Sequence, residues 1–273
     1  MSKKIKNFLI YFISPIIIVI GGFIFSKTVG TIALVAYFLL LYYLMLPNIY
    51  RIKGSKSYGD DKLADAIKWY GKAYKTKRGG TGTAVSLAYL MLKKGDIEGS
   101  ESLFTKTYEA SDTSEEFRNV IKSNIALVKW KKGNIDEAIE MLEKLIAEFK
   151  TTNIYVSLGY LYIAKGDLEK ALEFNLEALE YNDANSIILD NLGETYYWLE
   201  RYEEAEDIYE KMINKNPKFP EPYYHYGIVL EKLDRRDEAI QMVKTATNFK
   251  TNFLSSVTDE QITEKLNELT EKG

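Results

Sequence analysis

The stretch KGDLEKALE at 165–173 repeats, in altered letters, the stretch KGNIDEAIE at 132–140, thirty-three residues earlier. Searching outward for the same sentence (a turn residue, a polar pair, then a small residue) gives a ladder of small residues at Ala66, Ser100, Ala138, Ala171, Ala205 and Ala239. Their spacings are 34, 38, 33, 34 and 34, with one insertion near DTSEEF (112–117). Between the marks, apolar residues recur at i, i+3, i+4 and i+7, as in AIEMLEKLI (138–146) and YEEAEDIYEKMI (202–213), which is the pattern of an amphipathic helix. Each unit therefore reads as a helix, a turn at the Gly-Asp-like step, and a second helix.

A two-helix period of 34 resembles the tetratricopeptide repeat (TPR) family. The unit 152–185 carries Leu158, Gly159, Tyr162, Gly166, Ala171 and Ala178 at the family's signature positions. The unit 186–219 has Leu192, Gly193, Tyr196, Ala205, Tyr209 and Pro217, and 220–253 has Tyr223, Gly227, Ala239 and Ala246. Two diverged units fit at 81–114 and 119–152, and 59–77 reads as half a repeat around Ala66, Tyr70 and Ala73. The expected fold class is all-α, a helix-turn-helix repeat solenoid (a TPR-like superhelix) preceded by two transmembrane helices. Stacking is obligatory because one unit alone leaves an apolar face exposed. Residues 254–273 read as a capping helix, opened by Thr258 and Gln261 as a capping box.

Two uncharged runs, 8–25 and 29–46, give the membrane expectation. At about 1.5 Å per residue, eighteen residues span roughly the hydrocarbon core of a bilayer. Ser26, Lys27 and Thr28 alone separate the runs, so residues 1–50 read as a helical-hairpin anchor, with Pro15 kinking the first helix and Pro47 ending the second. Residues 51–58 read as a basic linker able to sit against anionic lipid. A signal peptide is the rival reading of the first run; no small-x-small cleavage site follows Phe25. Lys3, Lys4 and Lys6 before the hairpin, and Arg51, Lys53 and Lys56 after it, outnumber Lys27 in its tip, which predicts a cytoplasmic N-terminus and repeat domain in an integral protein of a bacterial cell membrane.

Residues 1–59 hold seven basic residues and no acid, although the whole chain is −3. The remainder is thus acidic, which argues against nucleic acid as a partner. With no cysteine, thiolate chemistry and disulfides are excluded. The single histidine, His225, reads as a packing or groove residue with no partner acid beside it. RGGTGT (78–83) lacks the Gly-Lys-Ser/Thr ending of a phosphate loop and reads as a turn. No catalytic residue, cofactor or metal ligand is expected, nor a small-molecule substrate, and the chain is read as a non-enzyme.

The family resemblance implies a groove lined by the first helix of each repeat, holding a protein or peptide partner. Carried onto this sequence, the groove positions are Val85, Tyr89, Ser123, Leu127, Trp130, Val156, Tyr160, Asp190, Glu194, Trp198, Tyr224, Ile228 and Lys232, with Tyr89, Trp130, Tyr160, Asp190, Glu194, Trp198 and Tyr224 expected to bind the partner. For Tyr160 and Trp198, groove exposure and core packing are both open. Asp190 and Glu194 would repel an acidic ligand, so a peptide with apolar anchors and a Lys or Arg fits. Two functions follow from the resemblance and the apolar runs: a membrane-tethered interaction scaffold, or an assembly or secretion-complex factor acting mainly through its hairpin.

Overall fold

A computed structural model describes residues 9–271. The chain divides into two compact units, Met1–Thr83 and Ala84–Gly273. In the first, a π-helical turn (Leu9–Ile13) leads into α1 (Ser14–Phe25), followed by α2 (Lys27–Gly59) and α3 (Leu63–Lys75). The second unit holds most of α4 (Thr81–Lys93), then α5 (Ile97–Glu109), α6 (Glu115–Lys131), α7 (Ile135–Glu148), α8 (Thr152–Lys165), α9 (Leu168–Tyr181), α10 (Ser186–Trp198), α11 (Tyr202–Ile213), α12 (Glu221–Lys232), α13 (Arg236–Ala246) and α14 (Asp259–Glu271). All regular structure among the described residues is helical.

In the second unit the ladder of small residues is a packing device. Ser100, Ala138, Ala171, Ala205 and Ala239 have no solvent exposure, because each lets two helices approach to backbone contact. Gly193 does the same for Tyr209: a Cβ there would lie 2.7 Å from the tyrosine ring. Around these sites Leu142, Ile154, Leu158 and Leu161 form one apolar cluster, and Tyr209, Met212, Tyr223, Val229 and Val243 another. A fully buried side chain of this size contributes about 1.5–3 kcal/mol.

The turn inside each repeat closes the same way five times. The amides of Asp96, Asn134, Asp167, Arg201 and Arg235 donate to the carbonyls of Met91, Lys129, Tyr162, Tyr196 and Leu230, at 2.9–3.0 Å. This six-to-one bond requires a left-handed residue just before the donor. Gly95, Gly133 and Gly166 supply it in three repeats, at φ of 91°, 90° and 82°, while Glu200 (58°) and Asp234 (59°) supply it in the last two. The insertion at 112–117 lengthens α6 to 17 residues, with Ser114 capping its start. The capping box opening α14 forms in both directions: Thr258 N–H donates to Gln261 Oε1 at 2.8 Å, and Gln261 N–H to Thr258 Oγ1 at 3.2 Å.

The first unit departs from the sequence reading in two places. Pro47 does not end its helix; it lies buried inside α2, which is 33 residues long. The expected linker 51–58 is therefore helical. It is held by α3, which returns antiparallel: Gly54 meets the Tyr70 ring, Tyr50 stacks on Trp69 at 5.9 Å, and Arg78 reaches Tyr43. Residues 59–77, expected as the second helix of a half repeat, hold that helix, and its turn closes like the others: the Lys62 amide donates to the Ser57 carbonyl at 2.8 Å with Asp61 at φ 56°.

The tight reversal is as expected, a single residue, Ser26, whose hydroxyl caps α2 by accepting from the Val29 amide at 3.2 Å. A Cβ on Gly22 would come 3.2 Å from Gly30 Cα, so the two arms are in backbone contact there. Among the described residues, Lys27–Gly59 is the one helix long and apolar enough to cross a membrane; the apolar helix before it, Ile10–Phe25, is shorter. Lys3, Lys4 and Lys6, and the start of the first apolar run at Phe8, lie outside the described residues.

Candidate functional site

First helices of successive repeats lie side by side, α6 against α8, α8 against α10, and α10 against α12. On α10 a four-residue step places Asp190, Glu194 and Trp198 along one face. Asp190 and His225 are both buried, and the imidazole Nδ1 lies 3.0 Å from Asp190 Oδ1. Burial disfavours the imidazolium, but the Asp190 and Glu194 carboxylates outweigh it, with Glu221 adding to them, and lift the pKa to about 9. At neutral pH the ring is therefore charged and donates to Asp190.

Glu194 and Glu221 are pushed above the usual carboxylate range, chiefly by burial and further by the Asp190 charge. Trp198 donates its indole N–H to Glu194 at 3.3 Å while 54% of its surface stays in solvent. The half-buried Tyr160 faces the carboxylates of Glu194, Asp190 and Glu221, and its own phenol is pushed up by burial and by those charges. Its ring meets Trp130 edge-on at 5.2 Å. The result is a largely buried cluster in which the carboxyl groups of Asp190, Glu194 and Glu221 surround one imidazolium, with the exposed Trp198 indole beside it.

This arrangement corrects two expectations. Asp190 is a buried partner of His225, not an exposed groove residue. His225 does have an acid beside it, contributed by the preceding repeat; the two positions are 35 residues apart, one period plus one. The same offset joins Asn191 to the Val156 carbonyl at 2.9 Å, so the register recurs between repeats. Among the described residues the ring hydrogen-bonds to Asp190.

The other expected groove residues differ in burial, Leu127 and Val156 being half-buried and Lys232 exposed. Val85, Ser123 and Ile228 are buried and pack. Tyr224 is half-buried against His225, with ring centroids 5.7 Å apart, and Tyr89 is half-buried near Lys93. Trp130 joins a second cluster that the sequence did not suggest. The Lys131 ammonium lies 3.7 Å from the Trp130 ring and 5.0 Å from the ring of Phe253, in the connector between α13 and α14. That connector is tied to the first repeat by the Phe253 amide, which donates to the Lys93 carbonyl at 3.0 Å. Burial lowers the Lys131 pKa to about 8. No group of three or more His, Cys, Asp or Glu among the described residues is arranged to hold a metal ion.

Residues 124–187 and 199–255 each match a family model described as tetratricopeptide repeat. Together with the recurrent turn and the buried small residues, these matches show tetratricopeptide repeats over residues 124–187 and 199–255, within the all-helical second unit. The chain is similar to the TPR repeat-containing protein MJ1428 of Methanocaldococcus jannaschii, at 26% identity over 162 residues, covering 55% of this chain and 28% of that protein. The chain thus spans under a third of the length of that relative. Among solved structures, it resembles the Cut9–Hcn1 hetero-tetramer of the APC/C, with a TM-score of 0.62 and 16% identity, covering 81% of this chain and 42% of that one. It also resembles TTC0263, a thermophilic TPR protein of Thermus thermophilus, with a TM-score of 0.57 and 18% identity, covering 70% and 99%. At these identities the likeness is one of fold. Tetratricopeptide-repeat proteins in general mediate protein–protein interactions.

Proposed function

We propose that this chain is a non-enzymatic interaction scaffold, held at a membrane by its N-terminal apolar helices, with its repeats on the cytoplasmic side. The observation that carries the interaction half is the exposed Trp198 bonded to Glu194, above the buried acidic cluster of Asp190 and Glu221. The acidic groups outnumber the one imidazolium, so a Lys or Arg side chain is the ligand whose charge complements this surface, with the indole and Tyr160 offering its stem an apolar contact. The partner is accordingly a protein segment with a cationic residue next to an apolar anchor. Tethering raises the effective concentration of such a partner at the surface.

The membrane half is supported by the length and apolarity of Lys27–Gly59 and by the hairpin reversal at Ser26. A second reading, an assembly factor acting through the hairpin, is favoured by Gly21, which has no neighbouring atom within 4 Å and leaves a site for close helix approach from outside.

Co-purification from native membranes in mild detergent tests the scaffold. A protein that accompanies the wild type and is lost from a helically intact Glu194→Gln/Trp198→Ala variant supports it; identical co-purifying proteins for both move the working surface to the hairpin. Topology is read with Lys250→Cys, which is clean in a chain without cysteine. Labelling from outside intact cells contradicts the cytoplasmic placement.

A further inference from the structure

The antiparallel pair α2–α3 concentrates cations that no carboxylate among the described residues pairs. Between residues 51 and 78 the chain carries Arg51, Lys53, Lys56 and six more basic residues from Lys62 to Arg78, against only Asp60, Asp61 and Asp65. All nine are exposed. Every ion pair among the described residues lies between Glu98 and Glu268, so none of the nine has a carboxylate partner.

Three of them are ordered over aromatic rings. The Lys53 and Lys72 ammonium groups sit 4.6 Å and 4.4 Å from the Trp69 ring, with Lys72 also 5.9 Å from Tyr50. The Arg78 guanidinium lies 3.8 Å from the Tyr43 ring and donates to the Tyr43 carbonyl at 2.9 Å. Tyr43 belongs to the uncharged run 29–46, whereas Lys53 stands ten residues further along the same helix, about 15 Å higher at helical rise. The cations thus form a ladder that starts at the edge of the apolar segment, each against an amphipathic ring of the kind that settles at a bilayer interface.

We infer that α2 and α3 form a docking surface for anionic phospholipid headgroups, with Lys53, Lys72 and Arg78 contacting lipid phosphates and Tyr43, Tyr50 and Trp69 holding those cations at headgroup height. The inference rests on the membrane anchoring proposed above. α3 is essential to it, since it brings Lys72 and Arg78 down alongside α2. Because Arg78 also serves the fold, the variant that tests the surface is Lys53→Gln/Lys72→Gln, which leaves the bond to Tyr43 in place.

The experiment uses the full chain reconstituted in phosphatidylcholine bilayers, with spin-labelled phosphatidylglycerol or spin-labelled phosphatidylcholine as the probe, reading the lipid fraction immobilised by the protein. Wild type is expected to prefer phosphatidylglycerol, and Lys53→Gln/Lys72→Gln to lose at least about fivefold of that preference. Lys211→Gln/Lys215→Gln, an equal charge change on and after α11, is expected to retain it. Equal preference in wild type and Lys53→Gln/Lys72→Gln overturns the inference, as does an equal loss in the α11 variant. Loss of preference in excess inorganic phosphate at constant ionic strength also overturns it, since free phosphate would then be the ligand. Insertion is read separately by resistance to alkaline carbonate. If the chain is stripped off, the anchoring reading fails, while the docking surface still predicts flotation with phosphatidylglycerol vesicles and not with phosphatidylcholine vesicles; equal flotation with both overturns it.

Discussion

Arg78 Nη2 donates to the main-chain oxygen of Tyr43 at 2.9 Å, and Pro47 is the reason that oxygen is free. Four residues after Tyr43, proline has no N–H to give, so the helix continues with one orphaned carbonyl. The arginine takes the place of the missing donor and lays its guanidinium over the Tyr43 ring. Arg78→Ala is expected to cost about 0.5–1.5 kcal/mol in the first unit, the net worth of that exposed hydrogen bond. In a Pro47→Ala background the restored amide competes for the same oxygen, so Arg78→Ala should cost less than half as much. Hydrogen-exchange protection of α2 amides beyond residue 47 measures both; equal losses in the two backgrounds would remove the link between Pro47 and Arg78.

Glu200 and Asp234 hold the left-handed conformation that glycine holds in the other three repeat turns. A side chain in that region costs about 1 kcal/mol or more, partly returned by glycine's larger unfolded-state freedom. Glu200→Gly is expected to stabilise the solenoid by up to about 1 kcal/mol and Asp234→Gly by less, since aspartate tolerates the conformation better. Gly166→Ala should destabilise by about 1 kcal/mol or more. Urea unfolding midpoints check all three, and destabilisation by Glu200→Gly would mean that its side chain has a role of its own.

The His225–Asp190 pair makes stability depend on pH in a definite direction. The folded pKa is raised from 6.5 to about 9, so the stabilisation is complete below pH 6.5 and is lost as pH rises through 9. Glu194 and Glu221, also raised, act with the same sign, their contribution being lost as pH rises. Wild type should lose on the order of 2 kcal/mol between about pH 6 and about pH 9.5, and His225→Gln should flatten that slope. An unchanged slope in His225→Gln would assign the dependence elsewhere.

Lys131 carries the opposite lesson. Its pKa is lowered to about 8 by burial between Trp130 and the Phe253 connector. Phe253→Ala should hydrate the ammonium and raise its pKa toward the ordinary 10.5, visible in the NMR titration of isotopically labelled lysine. The native lysine gains stability for the folded chain as pH rises above about 8, and the variant should lose that gain. A titration unmoved by the substitution would show that Trp130 and the helices alone cover the amine.

Much of the repeat fold was legible because it depends on position within a period. The ladder of small residues named the helix contacts, and Thr258 with Gln261 named the start of α14. What sequence could not supply was pairing across repeats and between neighbouring helices. The Asp190–His225 contact needed the one-period-plus-one register, which the 34-residue spacing does not itself reveal. Pro47 read as a stop because its usual effect is local, whereas the donor that rescues the helix lies thirty-one residues later in Arg78. The Phe253 connector had no periodic signature at all. Of the expected binding residues, Trp198 and Glu194 are joined by a hydrogen bond at the surface, and Asp190 is the buried partner of His225.

The central claim is that the acidic surface at Trp198 and Glu194 selects a cationic side chain, and peptide display against the full chain in detergent tests it most directly. The account predicts that wild type enriches peptides with a Lys or Arg beside an apolar anchor, with binding that weakens as salt rises, and that folded Glu194→Gln/Trp198→Ala enriches none of them. Enrichment of acidic peptides, or of the same peptides by both proteins, would contradict it.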